Sequence, residues 1–406
     1  MAEDVALKRS LSLAQITYYG LGTILGAGIY VLVGKVAGNA GIYAPVAFLV
    51  AGLIAAFTAF SYAELSARYP FCAGEAVYVQ QGLGLRPLSI LVGGLIVLTG
   101  VVSCATLVSG FVGYLHVFLP LPHWLAVTLL IFGLWALASW GIVESVRAAV
   151  VVTLIEVGGL LLIIAVSGRH LQELPQRLPE LLPPFDLGVW HGILLGAFLA
   201  FYAFIGFEDM VNVAEEVKEP QRNLPRAILL ALGLATLLYL LVALAAVLTL
   251  PVGELAGTRA PLAEMYRRAT GQEPVLIGLI SLFAVTNGAL IQIVMGSRVL
   301  YGMSRQGWLP RPLGYVSPRT RTPLIATAAM ALAVQGLALG VELVALAKAT
   351  SFIILIVFAL INLSLVRVKR RQPVVEGVRS YPLWVPAAGF LSCTALVAFQ
   401  LNTWLN

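Results

Sequence analysis

In FYAFIGFEDMVNVAEEVKEP, residues 201–220, an aromatic run gives way to a series of acids with only Gly206 and Phe207 before the first of them. Glu208 and Asp209 of this stretch, and Glu156 within VRAAVVVTLIEVGGLLLII, are carboxyls set in otherwise apolar sequence. A carboxyl at such depth can carry a proton, ligate a cation or oppose the positive end of a helix, and its default reading is functional. For Glu208 and Asp209, capping of an inner half-helix competes with a role facing a cavity. For Glu156, a proton carrier or sodium ligand competes with a protonated group bonded to a neighbouring helix. Other chemistries find no support. Cys72, Cys104 and Cys393 lie far apart without CxxC or Cys/His spacing, and no HExxH or GxSxG occurs, so no metal site, disulfide framework or catalytic constellation is expected. His116, His123, His170 and His191 read as scattered interfacial residues.

The elements that carry these carboxyls must be membrane helices. Hydrophobic residues make up 60% of the 406 and charged residues 11%, with mean hydropathy +0.95. A soluble domain carries about 25% charged residues. At about 20 apolar residues per crossing, the sequence divides into about eleven spans. The fold class expected is an all-α polytopic membrane protein forming one transmembrane domain over 1–406, with the first span retained rather than cleaved. Most of the 25 Lys and Arg fall on one side, among them Lys8, Arg9, Arg68, Arg86, Arg305 and Arg371. By the positive-inside rule that side is cytoplasmic, which puts the N-terminus inside and, after eleven spans, the C-terminus outside a cell membrane. The VKRRQ cluster at 368–372 reads as a topological anchor drawn to anionic lipid. No nucleic-acid motif occurs, and protein partners are not readable.

Two spans carry interruptions. ITYYGLGTILGAGIYVLVGKVAG holds Gly20, Gly22, Gly26, Gly28 and Gly34 in one crossing. Gly22 and Gly26 form a GxxxG pair suited to close helix packing. The alternative is an unwound helix near Gly26-Ala27-Gly28, whose second half would offer the free N–H groups of Ala27, Gly28 and Ile29 to a carboxylate. The sixth span is expected to break at Ile205-Gly206. Its first half would leave the carbonyls of Tyr202, Ala203, Phe204 and Ile205 for an ammonium group or cation. Spans one and six open two sets of five, 14–167 and 189–367, with 382–403 an extra helix. Five is odd, so the second set lies inverted. Interrupted spans at matching positions of inverted halves point to a transporter site near the midplane.

The segments GTILGAGIYVLVG, YAELSARYPFCAGEAVYV, FYAFIGFEDMVNVAEEVKEPQRNLPRAI and SRVLYGMSRQGWLP resemble, in this order, the amino acid-polyamine-organocation (APC) superfamily. The sixth-span motif is most similar to bacterial amino-acid permeases related to cationic amino-acid transporters. The resemblance implies a LeuT-type 5+5 inverted repeat and alternating access for amino acids or related amines. It implies a substrate carboxylate at Ala27, Gly28 and nearby amides, and an amino group at the carbonyls of Ile24, Tyr202, Ala203 and Ile205. The chain departs from the family in having eleven spans where twelve are usual, and in Glu156 where proton-coupled relatives often carry a lysine.

The expected function is therefore secondary active amino-acid transport, not enzymatic, with Glu156 and Glu208 in coupling or gating, a proton as the coupling ion and sodium as the alternative, and no cofactor. Exchange without ion coupling stands beside it, and a non-transporting amino-acid sensor behind both. Tyr202, Phe204 and Phe207 with Ser103 and Cys104 favour a neutral substrate, and Glu208 facing the cavity would reverse that preference.

Overall fold

The computed structural model describes residues 7–115, 119, 121–258, 260–340 and 343–405. The helices are α1 (Leu13–Ala40), α2 (Ala44–Arg68), α3 (Gly74–Leu83), α4 (Arg86–Leu115), α5 (His123–Trp140), α6 (Ile142–Val166), α7 (Gly168–Leu171), α8 (Leu174–Leu181) and α9 (Leu187–Phe204). A 3-10 helix over Glu208–Glu216 follows, then α10 (Pro220–Thr249), α11 (Val252–Gly257), α12 (Pro261–Thr270), α13 (Val275–Arg305), α14 (Leu324–Gly340), α15 (Leu343–Arg371) and α16 (Trp384–Leu405). Among the described residues the only strand-like feature is an isolated bridge between Leu11 and Val217.

Among the described residues nine segments are long and apolar enough to cross a membrane, one of them joining the end of α1 to α2, and Leu324–Gly340 is a shorter apolar helix. Large apolar side chains such as Phe132, Trp140, Leu332 and Leu391 point outward, as they must when the solvent is hydrocarbon. Helix starts are built locally. Ser12 and Gln15 form a capping box at α1, with the Ser12 N–H donating to Gln15 Oε1 at 3.0 Å, a device worth about 1 kcal/mol. Pro220 opens α10, where no backbone donor is needed.

Packing uses small residues where helices approach. Ala44, Ala47, Ala51, Ala55 and Ala59 form a buried stripe on α2, which packs on α9, α10 and α16. Helix α1 lies at the centre, against α6, α9, α10 and α13. The short helices α11 and α12 cover its C-terminal end, whereas α3 and the 3-10 segment lie towards the opposite, arginine-rich face.

One expectation fails here. Helix α1 is continuous from Leu13 to Ala40, with no interruption at Gly26–Gly28. Its glycines serve contact instead. A side chain on Gly20 would collide with Met210, one on Gly22 with Thr153, and one on Gly34 with the Leu255 carbonyl. A Cβ on Gly28 would sit 2.7 Å from Ala203 Cα.

Candidate functional site

The break in α9 is where the sequence predicts it. Asp186 starts the helix by accepting from Val189 N–H at 2.9 Å, and the helix ends at Phe204. Ile205 is extended and Gly206 has φ +133°. A side chain there would strain the backbone and would place a Cβ 2.8 Å from the Thr23 carbonyl carbon. The Gly206 N–H donates to Glu208 Oε2 at 2.8 Å. Glu208 thus satisfies a backbone N–H at the interruption, and it does not line the cavity described below.

Tyr239 of α10 fills the space beside the break. Its hydroxyl lies 2.9 Å from the Ala203 carbonyl and also reaches the Ile24 carbonyl of α1. One hydroxyl proton serves two acceptors, so these carbonyls meet at a shared, exchangeable donor. Two of the four carbonyls expected to hold an amino group are thereby brought together. The Tyr202 carbonyl accepts weakly from Ile205 N–H at 3.3 Å.

A cavity of about 40 Å³ lies against this point. Its walls are Thr23, Ile24 and Gly28 of α1, Ser103 and Leu107 of α4, Tyr202 and Ile205 at the break, and Gly288 and Gln292 of α13. That volume suits about three waters, so a molecule of amino-acid size requires the helices to part. No lining side chain carries a formal charge. Of the predicted residues, Ile24, Gly28, Tyr202 and Ile205 line it. Ala203 contributes its carbonyl from behind, against Gly28, and Phe204 packs on Phe48 and Tyr239 with ring centroids at 6.5 and 5.1 Å. Ile29 is buried in the core. The side chains of Ala27 and His116 lie outside the described residues. Because α1 is unbroken, the N–H groups of Gly26, Ala27, Gly28 and Ile29 belong to helix interior rather than to a free helix end. The expected carboxylate site is not formed by them here.

Glu156 is fully buried on α6. Its Oε1 accepts from Asn287 Nδ2 of α13 at 3.0 Å, and the same amide donates to Thr153 Oγ1 at 3.1 Å. Tyr30 of α1 donates to the Glu156 carbonyl at 2.9 Å. Glu156 Oε2 has no partner among the described residues, and no Lys or Arg there pairs with it. Two amides of α13 thus hold carboxyls: Asn287 holds Glu156, and five residues on, about 7.5 Å along the axis, Gln292 donates to Asp209 Oδ2 at 2.8 Å.

The remaining acids of the opening motif close the arginine-rich face. Asn212 accepts from Gly74 N–H at 3.1 Å and donates to Glu75 Oε1 at 3.3 Å, tying α3 to the 3-10 helix. Burial pushes the Glu75 carboxyl up to about 8. Glu216 pairs with Arg298 of α13 at 3.2 Å, both fully buried, and its carbonyl accepts from Ser10 and Leu11 N–H at 2.9 and 3.0 Å. Glu64 of α2 accepts from Arg68 and from Lys369 of α15 at 2.7 and 2.9 Å. Lys369 is therefore a buried ion-pair partner rather than part of a lipid-facing anchor. Tyr239, Asn287, Gln292, Arg298, Glu75 and Asn212 were not among the sequence candidates. The signal that marks them is a polar side chain inside an apolar run.

Comparison with known proteins agrees with this architecture. The sequence profile described as amino acid permease matches residues 11–404. The branched-chain amino acid permease BcaP of Bacillus subtilis (strain 168) is 30% identical over 420 residues, covering 97% of this chain and 88% of that protein. The vacuolar cationic amino acid transporter 2 of Arabidopsis thaliana is 32% identical over 396 residues, covering 90% of this chain and 61% of that protein. Among solved structures, MhsT in complex with L-phenylalanine superposes with a TM-score of 0.64 at 15% identity, covering 98% of this chain and 99% of that one, a likeness of fold.

Proposed function

The chain belongs to the amino acid permease family, a membrane transporter rather than an enzyme, and from that premise we propose that it is a secondary active transporter of neutral amino acids, working by alternating access and coupled to protons through Glu156. The observation that carries the reading is the small cavity at the α9 break, walled by four helices and lined by no charged side chain. Its polar groups fit a zwitterion. The Ile24 and Ala203 carbonyls, held by one movable Tyr239 hydroxyl, suit an ammonium group. Ser103, Tyr202 and the Gln292 amide supply donors for a carboxylate. The name of BcaP, a branched-chain amino acid permease, is in line with an apolar side chain, and Ile24, Leu107 and Ile205 would receive it. The two halves, 14–167 and 189–367, would rock about this point in a cell membrane, with the N-terminus cytoplasmic and the C-terminus outside.

A second reading, exchange without ion coupling, draws support from the Asn287 to Glu156 bond, which suits a fixed neutral carboxyl as well as a proton carrier. Uptake into proteoliposomes under an imposed pH gradient separates the two. Glu156→Gln should lose acceleration of leucine uptake by the gradient while leucine counterflow persists. A variant that keeps its full gradient response would assign coupling elsewhere. A wild type indifferent to the gradient would favour exchange, and dependence on a sodium gradient instead would make sodium the coupling ion.

A further inference from the structure

On the arginine-rich face, α13 ends at Arg305 and the chain turns back on itself. Gly307 has φ +70°, Trp308 N–H returns to the Met303 carbonyl at 2.9 Å, and Ser304 Oγ donates to the Pro310 carbonyl at 2.9 Å. The short 3-10 turn Arg311–Gly314 is thereby laid over the helix end, with Gly314 against Ser304 and Arg305. The fold-back encloses an open basin of about 900 Å³, whose wall includes Ser304, Arg305, Leu309, Arg311 and the exposed Tyr315. Arg86, the first residue of α4, donates to the carbonyl of Gly307 on the basin's wall at 3.0 Å. Arg305 and Arg311 thus line the basin, and Arg86 is bonded to its wall.

The elements that build it contain no acid. Neither residues 76–143 nor residues 274–341 contain an Asp or Glu, so α4, α5, α13, α14 and this loop supply no acid. Glu215, the acid beside Tyr301, is engaged by Cys72 N–H at 3.1 Å and faces the Tyr301 hydroxyl at 3.5 Å. Arg86 and Arg311 pair with no carboxylate among the described residues. A topological signal asks only that basic residues lie on this side. It does not ask for a basin that two of them line and a third is bonded to.

We propose that this basin binds the phosphate of an anionic phospholipid headgroup, with Arg86 and Arg311 as its ligands and Arg305 beside them. A planar guanidinium matches phosphate oxygens bidentately. The basin lies where α13 ends and α4 begins, and it combines arginines with Leu309, Pro310, Pro312 and a tyrosine. That mixture suits the boundary between headgroup and acyl chain better than bulk water. The anionic inner leaflet supplies the ligand on the side that the positive-inside rule makes cytoplasmic.

Native mass spectrometry of the purified full chain, titrated with phosphatidylglycerol or phosphatidylcholine, tests the assignment. Wild type should retain phosphatidylglycerol preferentially. Arg86→Gln with Arg311→Gln should weaken that binding about 25-fold, roughly fivefold for each arginine near an anionic lipid, and leave phosphatidylcholine unchanged. Millimolar inorganic phosphate should not displace the lipid. Equal phosphatidylglycerol affinity in wild type and double variant would overturn the site. Competition by inorganic phosphate on equal terms would reassign it to a soluble anion. If the double variant loses its thermal transition, Arg311→Gln alone decides, because Arg311 is exposed and its side chain makes no hydrogen bond or ion pair among the described residues; a loss of about fivefold is then expected, and no loss refutes the proposal.

Discussion

Gly206→Ala puts the interrupted helix to the test. At φ +133° an alanine occupies backbone territory that costs about 1–3 kcal/mol. Its Cβ would also lie 2.8 Å from both the carbonyl carbon and the Cγ2 of Thr23, and 3.0 Å from Ile24 N. Two of those three atoms are backbone inside α1 and cannot swing aside, so relief requires α1 and α9 to separate, an overpacking cost of about 1–3 kcal/mol. The two contributions act at one atom and together predict a loss of about 2–6 kcal/mol. Gly158→Ala on α6 is the control. No atom lies within 4 Å of its added Cβ, so helix propensity alone predicts a gain of up to about 1 kcal/mol. Cys72, Cys104 and Cys393 are free and buried, so a thiol-reactive dye reports unfolding of the purified protein directly. A Gly206→Ala protein melting with wild type or above it would refute the argument that φ and the Thr23 contact fix glycine at this position.

Two further outcomes follow from the buried charges on the arginine-rich face. Glu216→Gln leaves Arg298 fully buried without its counter-ion, for which a loss of about 3–5 kcal/mol is expected; Arg298→Met added to it should restore most of the midpoint in the same dye assay, and a single variant as stable as wild type would dissolve the ion pair as a structural element. Glu75, held at about 8 against an ordinary 4.5 by burial, keeps its proton in the folded state across a window where the unfolded chain has released it. Its contribution is then full below about 4.5 and is lost as pH rises to about 8. The midpoint difference between wild type and Glu75→Gln should therefore move against wild type across that window, and a difference constant with pH would show that Glu75 does not titrate there.

The sequence and the structure part company at particular residues for physical reasons. A glycine between an aromatic run and two acids made the α9 break legible, because the acids needed a helix start to sit against. The glycines of α1 raised the same expectation and misled. A glycine admits either a break or a close neighbour, and the neighbours, Thr153, Ala203 and Leu255, are distant in the chain. Tyr239 is one tyrosine in a leucine-rich helix, and nothing local says that its hydroxyl reaches Ile24 and Ala203. Asn287 and Gln292 are legible as amides inside an apolar span, but their partners Glu156 and Asp209 depend on tertiary placement. Arg298 and Lys369 show the limit of counting charges by side. Both belong to the basic face by sequence, and both are buried in ion pairs with acids from other helices.

Asn362 of α15, fully buried, accepts from Ser61 at 2.6 Å and donates to Thr58 of α2 at 2.9 Å, while Thr58 meets Cys393 of α16 at 3.6 Å and Gly389 packs directly over the amide. Helix α16 is thus the lid of a polar pocket between two other helices. Cutting the chain before Trp384 would do more than shorten it. The amide and two hydroxyls now covered by α16 would turn towards hydrocarbon, where polar groups are costly, so a shortened permease inherits a wound in its outer wall. Whatever is appended to this protein belongs after that helix, not in place of it.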